Sequence, residues 1–129
     1  VKMNDLNGLT KEQAEALRRK QAVLDRGLYT PIPHELYREK MPEMQTRYDK
    51  QDVRDALFIY TFLHAYVNGQ SEKDAYLWAF LTVRQIAEMT GIDRNRVKPL
   101  CDILEKEGLI KTDMKRTETG RKKFYMPLL

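Results

Sequence analysis

Residues 82–110, "TVRQIAEMTGIDRNRVKPLCDILEKEGLI", decide how the chain folds. Thr82 is a natural N-cap, and Gln85 stands three residues on, the spacing of a capping box. Val83, Ile86 and Ala87 then form an apolar stripe, and Gly91 can end a helix of two turns. Ile92 follows the turn, and Asp93 is placed to cap a second helix. That helix carries Val97, Leu100, Cys101 and Leu104 at i, i+3, i+4 and i+7, and Gly108 terminates it. Pro99 falls in its second turn, where the missing N–H would have bonded the Asn95 carbonyl and the ring crowds that oxygen. A bend or local loosening is expected there, dividing a basic turn, Arg94 to Lys98, from an apolar packing portion, Leu100 to Leu104.

Beyond Gly108, "LIKTDMK" alternates as a strand with Ile110, Thr112 and Met114 on one face. "RTETG" reads as a turn in which Gly120 supplies a positive φ, and "RKKFYMP" returns with Phe124 and Met126 on one face. Helix, tight turn, helix and basic hairpin together make a winged helix-turn-helix. The expected fold class is therefore α+β, mainly α with a small β-hairpin, preceded by an N-terminal helical extension.

"LTVRQIAEMTGIDRNRVKPLCDILEKEGLIKT" resembles the winged-helix DNA-binding domains of bacterial regulators and of plasmid or phage replication and partition proteins. The shared features are the "IAEMTGI" helix and turn, the "RNRVKPLCDILEKEGLI" helix, and a hairpin beginning at Leu109, over roughly residues 50–127. The upstream "YTPIPHELY", followed by a long apolar helix, is similar to N-terminal domains of replication proteins of the DnaD or plasmid-initiator sort. The resemblance implies that the second helix enters the major groove with its N-terminal residues at the base edges. A helical wheel is consistent with that placement. With the Val97/Leu100/Cys101/Leu104 stripe inward, Asn95 and Lys98 point away and Arg94 lies on the flank. Arg suits a bidentate contact to guanine, Asn one to adenine, and Lys a base or a phosphate. Arg96 belongs to the same candidate set, while Asp102, Glu105 and Glu107 occupy later turns, lifted off a duplex.

Lys115, Arg116, Arg121, Lys122 and Lys123 surround the hairpin tip and suit phosphate contact or minor-groove insertion. Thr82, Arg84 and Gln85 open the preceding helix, where backbone amides and side chains can grip a phosphate. The charge distribution agrees. The chain is 129 residues with a net charge of +4, and residues 93–129 carry 10 basic against 6 acidic side chains. Residues 1–55 carry 11 against 10, and residues 56–92 carry 2 against 3. The basic excess thus lies in the last third, as expected if that end faces a polyanion.

Upstream, Thr10 and Gln13 have capping-box spacing at the head of "KEQAEALRRKQAVLDRG", Glu15 and Arg19 can pair, and Gly27 can close the helix. Its apolar face, Ala14, Leu17 and Leu24, is thin, so it is expected to lie against another surface, a second copy included. Pro31, Pro33 and Pro42 punctuate a connector, with a short helix from Pro33 to about Lys40 that Pro42 stops. "DVRDALFIYTFLHAYVNG" is apolar nearly all round, which suits a central helix covered on more than one side, and "NG" is a stop signal. A short strand near Trp78–Leu81 competes with one helical turn over "SEKDAYLW". Residues 1–49 are read as extension, connector and dimerisation arm, and residues 50–129 as the DNA-binding domain.

Other chemistries find little purchase. His34 and His64 stand alone without metal-ligand spacing, and no cofactor is expected. GxxxxGK[ST], GxSxG and HExxH are absent, so an enzyme is not expected. One cysteine, Cys101, rules out an internal disulfide and suits the cytoplasm. No apolar run reaches bilayer length and no signal peptide is read, while Val1 and the abrupt "YMPLL" suggest an excised piece. The expected partners are double-stranded DNA, a second copy of the chain in a homodimer, and a protein met through the N-terminal extension. Transcription regulation, replication and partition remain open. So does a competing role as a protein-interaction module on the same scaffold.

Overall fold

Thr10 and Gln13 cap α1 (Lys11–Arg26) reciprocally, as their spacing requires. Thr10 Oγ1 accepts from the Gln13 N–H at 3.1 Å, and Gln13 Oε1 accepts from the Thr10 N–H at 3.0 Å. Gly27 ends the helix in the left-handed conformation, φ 68°. Glu15 pairs with both Arg18 and Arg19 on the solvent side. No residue of α1 is buried, and Val23 and Leu24 are exposed. The structure is a computed structural model that describes residues 8–27, 29–67, 69, 76–117 and 120–128, with the backbone alone at 117 and 120–122. It forms two compact units, one ending at Pro31 and the other beginning at Ile32. The boundary read at residue 49 therefore falls inside the second unit.

The reason is the connector, whose apolar residues belong to the core. Leu36 and Met44 are both fully buried there. A π-helical segment, Leu36–Lys40, runs directly into α2 (Met41–Met44), so Pro42 does not stop the helix as its sequence position suggests. The Met41 N–H reaches back five residues to the Leu36 carbonyl. This wider turn lets the ring of Pro42 enter in the first turn of α2, where no N–H is required.

Asp49 caps α3 (Lys50–His64), its Oδ2 accepting from the Gln51 N–H at 3.0 Å. Val53, Ala56, Leu57, Ile59, Tyr60 and Leu63 are buried along it. Phe58 and Tyr66 remain 49% and 42% exposed, so the side of this segment opposite the core is uncovered by the second unit. The "NG" stop lies in part outside the described residues. After it, β1 (Ala79–Phe80) realises the strand reading, although residues 70–75 of the competing helical reading are outside the described set.

α4 (Val83–Thr90) and α5 (Arg94–Lys106) follow, joined by Gly91, Ile92 and Asp93. Gly91 takes φ 77°, which a side chain would strain, and Ile92 folds back into the core. Packing fixes α5 through Val97, Leu100, Cys101 and Leu104, all at most 1% exposed. Cys101 is a core thiol, and burial pushes its pKa up to about 11. The helix runs unbroken through Pro99, which is exposed.

β2 (Ile110–Thr117) and β3 (Gly120–Pro127) form an antiparallel hairpin, and β1 adds to the other edge of β3, giving the order β1-β3-β2. The register pairs Ile110 with Pro127, Thr112 with Tyr125 and Met114 with Lys123. Ile110 and Tyr125, both buried, therefore mark the face laid on the helices. Phe124 and Met126 do share a face, but it is the outer one. The fold is thus mainly α with a small three-stranded antiparallel sheet, an α+β arrangement.

Candidate nucleic-acid interface

α5 sorts its polar residues by the helical wheel that buries its apolar stripe. Asp93 Oδ1 accepts from the Asn95 N–H at 2.8 Å and starts the helix. Arg94 and Asn95 then stand exposed in the first turn, and Arg94 has no carboxylate partner among the described residues. Lys98, 73% exposed in its side chain, donates to Asp102 Oδ2 at 3.2 Å one turn on. That pair is solvated, so it is worth little and gives way easily to another anion.

Arg96 behaves differently. Its guanidinium reaches Asp55 Oδ2 at 2.7 Å and Asp52 Oδ1 at 2.9 Å, both on α3. The fork bonds two carboxylates at once, tying the head of α5 to the head of α3. Burial acts to raise the Asp55 pKa, but the bonds from Arg96 and Arg54 outweigh it and leave that carboxyl below its ordinary value. Arg96, grouped by sequence with the base-reading residues, is turned inward as a strut. The missed signal was Asp52 and Asp55 at i and i+3 on a helix otherwise so apolar, since such carboxylates need a cation.

At the head of α4, Thr82 Oγ1 accepts from the Gln85 N–H at 3.0 Å and Gln85 Oε1 accepts from the Thr82 N–H at 2.9 Å. These two side chains serve the cap. Arg84 is 75% exposed and pairs with Glu88 at 2.9 Å. The far end of α5 carries the opposite charge balance, and Glu107 proves structural. Its carboxylate, 8% exposed, takes hydrogen bonds from Arg47 and from Tyr48 Oη at 3.0 Å, and Lys40 Nζ lies 3.1 Å away. Burial acts to raise its pKa, but these donors together hold it well down, at about 2.

The hairpin register places Lys115 opposite Lys122 and Arg116 opposite Arg121. Lys115 Nζ lies over the rings of Trp78 and Phe124, at 5.8 and 5.4 Å from their centroids, and Lys123 Nζ lies 5.6 Å from that of Tyr125. Arg116 is exposed. The side chains of Arg121 and Lys122 are outside the described residues, as is the tip at 118–119. Exposed guanidinium and ammonium groups of this kind donate hydrogen bonds to phosphate or base-edge acceptors.

Among the described residues no group of three His, Cys, Asp or Glu is placed to hold a metal ion, and no helix is long and apolar enough to cross a membrane. His34 is exposed, and His64 meets the ring of Tyr60 edge-on at 4.8 Å. No family model, curated protein or solved structure matches the chain.

Proposed function

We propose that this chain is a sequence-specific, double-stranded-DNA-binding winged-helix protein that acts as a homodimer in transcription regulation, or in replication or partition on a plasmid or phage. The observation that carries the reading is the first turn of α5. Packing of Val97, Leu100, Cys101 and Leu104 leaves Arg94, Asn95 and Lys98 outward, with Arg94 uncompensated by any described carboxylate. In this reading α4 and α5 are the helix-turn-helix, α5 lies in the major groove, and β2–β3 is the wing. Arg94 and Asn95 meet base edges. Lys98, Arg84, Lys115 and Arg116 meet phosphates, with Arg121, Lys122 and Lys123 adding to the field around the wing. The exposed Tyr37 and Phe58 line one shallow groove beside Met41 and Thr61, a surface suited to a second copy. A dimer presents two α5 helices about one duplex turn apart, so the site is a repeat or palindrome.

The test is selection from a pool of random duplexes. Enrichment of paired half-sites, with affinity falling steeply as salt rises, is the expected result. If no sequence is enriched, and the Tyr37/Phe58 surface instead retains a protein, the winged helix is a scaffold for protein contacts.

A further inference from the structure

The outer face of the sheet carries an aromatic cluster that groove reading by α5 leaves unused. Ala79 is buried, so Trp78 and Phe80 on either side of it fall on the opposite face. Phe80 pairs in register with Phe124, the two rings lying 5.3 Å apart and tilted by 43°. Lys115 Nζ stands over Trp78 and Phe124 together, which joins the three rings and the lysine into one patch. Phe80 is 39% exposed, and Trp78 and Phe124 are half-buried. Leu77, just before Trp78, adopts φ 66°, a left-handed conformation that a branched residue rarely takes. Backbone strain is thus held where the chain delivers Trp78 to this face.

The charge around the rings identifies the occupant. Lys111 and Lys115 share the outer face with Asp113, so the described charges there are two cations against one carboxylate. A patch meant for an apolar protein surface gains nothing from a net positive charge, whereas a polyanion is drawn to it. Rings beside cations in excess are what a single nucleic-acid strand needs, because each nucleotide offers a π-face and a phosphate. We infer that the outer face of the sheet is a second nucleic-acid site that holds single-stranded DNA, its bases stacked on Trp78, Phe80 and Phe124 and its phosphates met by Lys111 and Lys115. An arriving base displaces the Lys115 ammonium from the rings, and the same ammonium then moves to the phosphate. The choice of DNA over RNA rests on the duplex reading of α5, whereas the stacking surface itself does not.

Trp78 is the only tryptophan of the chain, so its emission reports the site directly. A short oligo(dT) titrated into the protein at low salt should quench it saturably. Phe124→Leu, with its fold checked by thermal melting, should weaken oligo(dT) binding by roughly 5–100-fold while leaving duplex binding within about twofold. Lys115→Met should also weaken it and flatten its salt dependence. Unchanged Trp78 emission overturns the inference, whatever the variants do. So does wild-type oligo(dT) affinity in Phe124→Leu. Self-association lost in Phe124→Leu, with no oligo(dT) quenching, makes the face a protein interface instead. Quenching that persists in Arg94→Ala supports a site separate from α5, so loss of duplex selection and loss of strand binding remain distinct failures.

Discussion

Two regions of the second unit carry basic residues, and they treat them in opposite ways. Between the connector, α3 and α5, the cations are matched: Arg96 with Asp52 and Asp55, and Lys40 and Arg47 with Glu107. At Arg94 and in the hairpin they are not. Arg94, Lys115 and Arg116 have no described carboxylate partner. A cation held between carboxylates of neighbouring elements has its charge engaged by the fold and has less left for a ligand. Cations without such a carboxylate leave a field that an external anion neutralises. The +4 of the chain matters less than which of its cations the fold has already engaged.

The comparison can be broken most severely at Glu107. Its pKa of about 2, against an ordinary 4.5, corresponds to roughly 3 kcal/mol, which solvent screening reduces to on the order of 2 kcal/mol. The folded value is depressed, so this contribution is present above about pH 4.5 and is lost as pH falls toward 2. Glu107→Ala should destabilise by a similar amount in urea titrations at neutral pH. The wild-type acid transition should be blunted in the variant over that same window, since it has no Glu107 to protonate. Arg96→Met comes next, a smaller loss because its fork is one-third exposed and partly screened. Its base preference, measured where it is fully folded, should match the wild type.

Pro99→Ala sharpens the divide within α5 itself. The variant restores an N–H to the Asn95 carbonyl, offset by a more flexible unfolded chain, and should gain ~1 kcal/mol. If the proline sets the presentation of the reading turn, site preference or affinity shifts with it; a variant with unchanged binding shows the proline to be tolerated only. The smallest effect falls in the unmatched region. Arg116→Thr removes one exposed cation and should lower the salt slope of duplex binding by about 1, with little change in the melting temperature of the free protein.

Local signals were legible where one side chain completes a backbone requirement. Thr10 with Gln13, Thr82 with Gln85, and the left-handed Gly27 and Gly91 all appear as their spacing indicates. So does the buried stripe of α5. What periodicity could not supply was the destination of a polar side chain, because a wheel gives direction without a neighbour. Arg96 finds its carboxylates more than forty residues away, and Glu107, read as lifted off a duplex, closes a clamp on the connector. The hairpin shows the same limit. Alternation groups Phe124 with Met126, but only the pairing with β1 and α5 makes Tyr125 the buried residue. Pro42 misled because a π turn can admit a proline that an α turn rejects.

Arg94 and Arg96, two residues apart on one helix, separate the two regions most directly. The decisive measurement is the base-preference profile of Arg94→Ala on the duplex that the wild type selects. Loss of discrimination at one base pair, worth ~1–3 kcal/mol, with stability unchanged within about 0.5 kcal/mol, is the predicted result. An Arg94→Ala profile identical to the wild type, or a wild type that selects no duplex at all, would contradict the assignment of α5 as a reader of DNA.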